Sequence, residues 1–498
     1  MESQQVPANL SRKILIVAGG LYSVLLVIAS WKHVLWRDEA QAWLISRDSQ
    51  SLTAVVHNVR YEGTPPLWHF VLYFITRFTL NPQWMKVPNC LFSIAASALI
   101  LSAHKVPIWA RIGFIFSYFI FFEYAVIDRD YMIGIMLLVA ALTLLKHDRS
   151  DVAISIVLTL AAFTSAPALV VAVCLYATHL LSTLSTADLR NPTRWAAALG
   201  LKRTLALIFF AVCTLVSYAI IRPEGGSASL LTHSPSVASR IFKFSSVAEA
   251  YLPIPSRLHF WNTSFFAYLG RPTSTTVGIL LAGCLCFWFQ RRVARYFFIV
   301  TSTLLMVEMA LAKMFAMRHI GWLFIVFLLA VILESEAAPP QSSPNAPARW
   351  NWRPAFLAGI LVVQAATGLF AIVASLRYPF SPSKQVVDFL QQQHLDHDPL
   401  VFLPDFSGSA ILAYLQRPYA YSIERGVRSS FILWDAVEGQ PHYLPSKQQL
   451  DAAAENGISP VLITEGFLSD QQASSLGVKF IGAFYGGLNL SDHYCVYR

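Results

Sequence analysis

Long uninterrupted apolar runs dominate the first three quarters of the chain. From Ile14 to Ser30 almost no polar side chain intervenes, and comparable runs recur to about residue 375. A helix needs roughly 20 apolar residues to cross the hydrocarbon core of a bilayer, and roughly 17 suffice. The pattern therefore predicts an α-helical polytopic membrane protein of about 11–12 spans. Eleven are expected at 13–31, 87–104, 112–125, 131–146, 152–164, 168–184, 203–221, 276–290, 296–312, 320–333 and 354–375. The first run is too long for the apolar part of a cleaved signal peptide and lacks a small-x-small site after it, so it reads as a retained span.

Placing these spans alternately outward and inward sorts the basic residues. Arg12 and Lys13 keep the N-terminus inside. The inside loops then carry Lys105 and Arg111, Lys146 and Arg149, Arg190, Arg194, Lys202 and Arg203, Arg291, Arg292 and Arg295, and Arg349 and Arg353. The short outside loops carry only Arg129, Lys313 and Arg318. Such asymmetry is what membrane insertion imposes. Residues 65–80, "PPLWHFVLYFITRFTL", are apolar but short and begin with two prolines. Were they a span, every later basic loop would move outside, so they read as an interfacial or re-entrant helix.

Two long outer segments, 31–86 and 222–275, interrupt the membrane part, and 335–353, rich in Pro, Ser and Ala, reads as a cytoplasmic linker. Beyond 380 the pattern changes. Strand-like runs at 400–404, 460–464, 478–484 and 493–497 alternate with helix-like stretches at 383–393, 408–416, 447–455 and 469–475. That alternation predicts a small α/β domain over 380–498, outside the membrane by parity, after a transmembrane domain over 1–379.

Composition agrees. Hydrophobic residues make up 55% of the chain and charged residues 13%, about half the charged share of a soluble domain. Mean hydropathy is +0.52. The formal charge of +9 lies between apolar runs, with no basic stripe interleaved with exposed aromatics, which argues against a nucleic-acid partner. Of the six cysteines, five sit in apolar runs and none pairs with histidines at metal-ligand spacing, so neither a disulfide framework nor a zinc site is expected.

Four clusters could carry chemistry. "WKHVLWRDEAQAW" places Asp38 and Glu39 side by side after the first span. Adjacent carboxylates cannot face the same way on a helix; one can meet a substrate while the other caps the helix N-terminus. Two first-turn acids on an interfacial helix is the plainer alternative. In "RYEGTPPLWH", Glu62 stands on a turn stiffened by Gly63, Pro65 and Pro66, with His69 one turn into the next helix; a solvated loop acid would look the same. "FFEYAVIDRDYM" groups Glu123, Asp128, Arg129 and Asp130 between apolar runs, where ionisable groups are costly, although Arg129 could simply neutralise its neighbours. "KMFAMRHIGW" puts Lys313, Arg318 and His319 in a short outer loop, against the charge rule. A phosphate ligand would explain them, and arginine's planar fork suits it; snorkelling to headgroups is the alternative. Together, Asp38 and Asp128 with Arg318 and His319 would supply one outer face with a base and a phosphate clamp.

At these residues the chain resembles the GT-C superfamily of membrane glycosyltransferases, in particular the branch with protein O-mannosyltransferases and the aminoarabinose transferase of lipid A. Asp38–Glu39 in "RDEAQAW", the "EGTPPLW" of Glu62–Trp68 and the "DRDYM" of Asp128–Met132 are similar to its acidic and Pro-Pro motifs in order and spacing, and Arg318–Gly321 resembles a motif of bacterial relatives. The resemblance implies a polyprenyl-phosphate-linked sugar as donor, inversion at the sugar carbon, and a cleft on the periplasmic or lumenal face. The acceptor is left open as a lipid, a glycan or a protein, and a bacterial inner membrane is the expected location. The resemblance further implies Asp38 as the base, Glu39 as its motif partner and Asp128 as the second acid, a place Asp130 also fits. Glu62, Asp130, Arg318 and His319 are the expected substrate-binding residues, Arg318 on charge and sidedness more than on the family pattern. Some members use a divalent metal; Asp38 and Asp128 could hold one, though no ligand set demands it. A transporter or flippase for a lipid-linked or small polar solute competes with this reading, but it wants mid-span charges and an inverted repeat, and neither is visible.

Overall fold

The structure is a computed structural model that describes residues 8–146, 150–183, 195–222, 243, 245–336, 352–438 and 443–498. Most of the 335–353 linker, the first part of the 222–275 loop, and Arg149, Arg190, Arg194 and Arg349 lie outside the described residues.

Helix α1 (Ala8–Lys32) is followed by α2 (Arg37–Asp48), α3 (Leu52–Asn58) and α4 (Leu67–Thr76), then by α5 (Lys86–Ser102), α6 (Ile108–Ile115), α7 (Tyr131–Lys146), α8 (Asp151–Ala162) and α9 (Ala166–Thr183). The chain continues through α10 (Trp195–Ile221), α11 (Ser245–Tyr251), α12 (Arg271–Trp288), α13 (Arg292–Ala312), α14 (Met317–Glu336) and α15 (Trp352–Arg377). Among the described residues seven helices are long and apolar enough to cross a membrane: Asn9–Lys32, Pro82–Ser102, Ala166–Thr183, Leu199–Ile221, Arg292–Ala312, Met317–Ser335 and Trp352–Arg377.

Four of the eleven expected spans fall short of that standard. Helices α7 and α8 are apolar but short, and α12 opens on the polar run "RPTSTT". The expected span 112–125 is not one helix. Helix α6 stops at Ile115, and after a break the chain forms a single π turn, Phe119–Glu123, whose residues are all buried. The break occurs where α15 crosses: a Cβ on Gly368 would stand 2.6 Å from the Phe116 carbonyl oxygen, so only glycine lets the two backbones meet.

Apolar side chains cover the outside of the bundle as well as filling its core. On α1, Ile16, Val17, Leu21 and Val24 are exposed; so are Leu201, Leu205, Ile208, Val212 and Leu215 on α10, and Val362, Leu369 and Val373 on α15. Water would penalise such a belt, at roughly 25 cal/mol per Å² of apolar surface, and contiguous exposed apolar patches of this size mark a lipid or protein contact. Helix α14 is the central element, with every residue from Ile320 to Ile332 buried.

Polar contacts align the helix ends. At one end Asp151, at the start of α8, bonds His179 of α9 and Arg203 of α10, each at 2.9 Å. The Glu334 carboxylate near the end of α14 accepts from the backbone N–H of Gln290 and Arg291 between α12 and α13. The opposite end gathers the C-terminus of α1, helix α2 and the starts of α7 and α14. Helix α4, within the expected interfacial segment 65–80, lies there against α2, burying Trp68, His69, Leu72 and Thr76 while Phe74 and the following Phe78 stay exposed.

Residues from 380 onward form a six-stranded mixed sheet: β1 (Leu400–Leu403), β2 (Ala420–Ser422), β3 (Val427–Ser429), β4 (Val461–Thr464), β5 (Phe480–Phe484) and β6 (Tyr494–Tyr497), in the order β3-β2-β1-β4-β6-β5. The centre, β2-β1-β4, is parallel, with β3, β6 and β5 added antiparallel. Helices α16 (Ser383–Gln392), α17 (Ser409–Tyr414), α18 (Lys447–Asp451) and α19 (Asp470–Leu476) flank it. All four expected strands are present; the short β2–β3 hairpin is additional. One face of this domain shares a core with the membrane part: Val386, Leu390, Ile411 and Phe402 pack in a single cluster with Ala40, Trp43, Leu44 of α2 and Trp68, Leu72 of α4.

Candidate functional site

The start of α2 organises the site. Trp36 is extended (φ −98°, ψ 163°), which turns the chain into the helix and frees its N–H for capping. Glu39, three residues on, accepts that N–H at 2.8 Å, an arrangement that satisfies an otherwise orphaned donor. Its carboxylate also accepts from His33 Nε2 at 2.9 Å and from the Asp128 backbone N–H at 2.6 Å, and the residue is fully buried. Glu39 therefore ties the end of α1, the start of α2 and the loop before α7 into one rigid corner. It is a positioning residue.

A helix advances 100° per residue, so Asp38 faces another way. Its Oδ2 accepts from Arg129 Nη1 at 2.5 Å and lies 3.4 Å from Arg318 Nη2. One carboxylate from α2 thus holds two guanidiniums from separate elements. The Arg318 guanidinium stands 5.3 Å from the Trp36 ring centre and 5.9 Å from that of Trp261, and the two indoles pack edge to face at 4.6 Å. Arg129 lies 5.5 Å from the Tyr131 ring. Gly321, one turn after Arg318, fixes that arginine's height: a Cβ there would overlap the Phe119 ring and come 2.5 Å from the Tyr124 hydroxyl, which itself donates to the Arg318 carbonyl at 2.7 Å.

The remaining acids divide. Glu62 sits on the turn ending at Gly63 (φ 69°) and accepts from Gln41 Nε2 at 2.8 Å. Asp130 is buried beside Arg129, 4.0 Å from its Nε. Asp128 lies apart from the arginine pair. Its side chain is enclosed behind Glu39, toward Lys86, whose ammonium donates to the His33 carbonyl at 2.6 Å. The structure brings Asp130, rather than Asp128, beside Arg129 and Arg318. His319 is buried beside Tyr131 and Arg318 reaches the site without it. Glu123 is bound by Tyr118 at 2.8 Å and by the Trp261 indole.

Burial and charge set different protonation tendencies. Burial pushes the Asp38 carboxyl up, but Arg129, Arg318 and Arg37 outweigh it and hold it below the usual range. Burial lifts Glu62 to about 7, aided by the charges of Asp38 and Asp130 and opposed by the Gln41 hydrogen bond and Arg129. Asp130 is lifted by burial to about 6, against the pull of Arg129 and Arg318. Burial and the Glu39 carboxylate push Asp128 well up.

As a metal pair, Asp38 and Asp128 do not fit: the first is taken by guanidiniums, the second is enclosed with Lys86 and Glu39. Among the described residues no group of three or more His, Cys, Asp or Glu side chains could hold a metal ion.

The C-terminal domain closes one side of the site. Arg37 bonds Glu465 at 2.7 Å and lies over the Phe406 ring, Leu35 N–H donates to the Tyr414 hydroxyl, and Ser383 donates to the Leu35 carbonyl. Sequence reading missed Arg129 as a partner of Asp38, since its neighbours Asp128 and Asp130 offered a local explanation, and it gave no role to Trp36, Trp261 or Gln41. The indole of Trp36 precedes the acidic motif directly, which was the available signal; Trp261 carried none beyond an aromatic loop.

Two arginines share the Asp38 carboxylate beside the Trp36 and Trp261 indoles, with Glu62 and Asp130 close by. Such a site can hold a phosphate and steer a proton. The chain matches no protein-family model, no curated protein and no solved structure.

Proposed function

We propose that the chain is an inverting glycosyltransferase of the GT-C kind, moving a sugar from a polyprenyl-phosphate carrier to a lipid, glycan or protein acceptor on the non-cytoplasmic face of a bacterial inner membrane. The observation that carries the reading is the pair Arg129 and Arg318 held on the single carboxylate of Asp38, at the bundle end that also bears the C-terminal domain. Departure of a lipid phosphate develops negative charge on its oxygens, and guanidiniums fixed in advance stabilise that charge without reorganising. Arginine presents two parallel donors that match phosphate geometry. The indoles of Trp36 and Trp261 pack against each other and against the Arg318 guanidinium, which holds that cation in place, and the nearby carboxylates supply a proton acceptor. By the distribution of basic loops this end faces away from the cytoplasm.

The test is transfer itself. The purified protein in lipid nanodiscs is given undecaprenyl phosphate carrying radiolabelled glucose, mannose, arabinose or aminoarabinose, with a cell-envelope fraction as acceptor. Label moves to envelope material from at least one donor, and Arg318→Ala abolishes the movement. Retention of all label on every donor, or unchanged transfer by Arg318→Ala, overturns the assignment.

A further inference from the structure

Glu62 stands apart from the other acids of the cleft. Asp38 is engaged by two guanidiniums, Glu39 is consumed by three donors, and Asp128 is enclosed. The Asp130 side chain is only 4% exposed, whereas Glu62 is half-buried on a turn that Gly63, Pro65 and Pro66 make stiff. Asp38 and Gln41 are three residues apart on α2 and project from one face, so the Gln41–Glu62 bond lays Glu62 across that face beside Asp38. Gln41 is itself set by the C-terminal domain. Its Nε2 also donates to the Ile432 carbonyl at 2.7 Å, its Oε1 accepts from the Ile432 N–H at 3.1 Å, and Ser409 is within 3.5 Å.

We propose that Glu62 is the catalytic base of this site and that the C-terminal domain positions it through Gln41. The proposal rests on the transferase reading above. In the step, the acceptor hydroxyl gives its proton to the Glu62 carboxylate as its oxygen bonds to the anomeric carbon. The bond from that carbon to the phosphate oxygen breaks, and its electron pair leaves on the polyprenyl phosphate, held by Arg129 and Arg318. The charged groups facing Glu62 are Asp38 on α2 and Arg129 and Asp130 before α7. Together with burial they hold its carboxyl at about 7, where a base is both available and strong enough to take a proton. Asp38, held low by its arginines, orients them instead. The bonds to Ile432 give the C-terminal domain a reason to be fused to the membrane part: it fixes the angle from which the base approaches.

The experiment uses the full chain in nanodiscs with the donor that the wild type turns over from the panel above. Wild-type kcat/KM falls on the acid side of a limb near pH 7. Glu62→Gln lowers kcat/KM by about 10²–10⁴-fold and abolishes that limb. Azide, an anion that needs no base, restores turnover to Glu62→Gln as the glycosyl azide but does not restore Arg318→Ala. Gln41→Leu removes a bond that favours the carboxylate, so its acid limb moves to higher pH. Wild-type transfer with a Glu62→Gln enzyme that keeps its rate and limb overturns this inference alone, as does a Gln41→Leu limb that stays in place. Absence of wild-type transfer from any donor overturns the transferase reading with it.

Discussion

Asp38 and Glu39 are chemically alike and adjacent, yet the structure assigns them opposite consequences on losing their charge. In Glu39→Gln the side chain keeps its shape, but an NH₂ replaces one oxygen of a carboxylate that accepts from His33, Trp36 N–H and Asp128 N–H. At least one accepted bond becomes a donor facing a donor. A hydrogen bond to a charged group contributes about 1.5–3 kcal/mol, and an unsatisfied buried donor costs about 1–3 kcal/mol more. The expected loss is about 3–5 kcal/mol, a large part of the roughly 5–15 kcal/mol that holds a typical domain folded. Asp38→Asn loses its ion pairs at a side chain that is 25% exposed, where solvent screens the charge. The expected loss is about 1–2 kcal/mol. Fluorescence-detected size-exclusion after stepwise heating in detergent measures both. Glu39→Gln gives low recovery and a Tm well below wild type, while Asp38→Asn stays monodisperse near wild type but transfers no sugar. Equal Tm values for the two variants, or the reverse order, would refute the division between a structural and a functional acid.

Three further outcomes follow from the same geometry. Arg318→Lys keeps the charge but loses the planar fork, so kcat/KM drops about 10–100-fold, about 1.4–2.7 kcal/mol of transition-state stabilisation; parity with wild type in a transfer assay would contradict a phosphate role. Gly321→Ala forces the Phe119 ring and Tyr124 hydroxyl away from α14 and costs about 1–3 kcal/mol, read as a lower Tm with reduced transfer, because Tyr124 holds the Arg318 carbonyl. In the C-terminal domain, burial and the neighbouring Glu424 and Glu438 push Asp405 up to about 9. A carboxyl raised on folding stabilises below its unfolded value near 4 and loses that contribution as pH rises toward 9. Asp405→Asn should therefore raise Tm at pH 8 and leave it unchanged at pH 3.5; a loss of stability at pH 8 would show that the carboxylate is needed ionised.

Much of the architecture is legible because lipid imposes a simple code. Seven of the eleven expected spans appear as long apolar helices, and the strand-like runs near 400, 460, 480 and 495 all become strands. What escaped depends on packing between distant segments. The break after Ile115 sits where Gly368, 252 residues away, lets α15 come up against Phe116, which no local pattern records. Within the site, the sequence offered one of Asp38 and Glu39 as a cap without saying which, and the structure gives that place to Glu39; the charge rule drew attention to Arg318, which the structure places on Asp38. The partners within "DRD" could not be read: Arg129 bonds the distant Asp38 while keeping Asp130 at 4.0 Å, and Asp128 turns inward toward Lys86, its N–H held by Glu39. Gln41 was invisible as a polar residue on an amphipathic helix until Ile432 and Glu62 converged on it.

The most direct test of the central claim is to locate the lipid phosphate. Undecaprenyl phosphate bearing a photoreactive diazirine on its first isoprene unit, irradiated with the protein in nanodiscs and analysed by peptide mass spectrometry, should label peptides containing Trp36–Asp38, Arg129–Tyr131 and Arg318–Trp322. Excess unlabelled undecaprenyl phosphate should compete the labelling away, and Arg129→Ala with Arg318→Ala should remove it. Labelling confined to the opposite end of the bundle, near Asp151 or Glu334, would contradict the account.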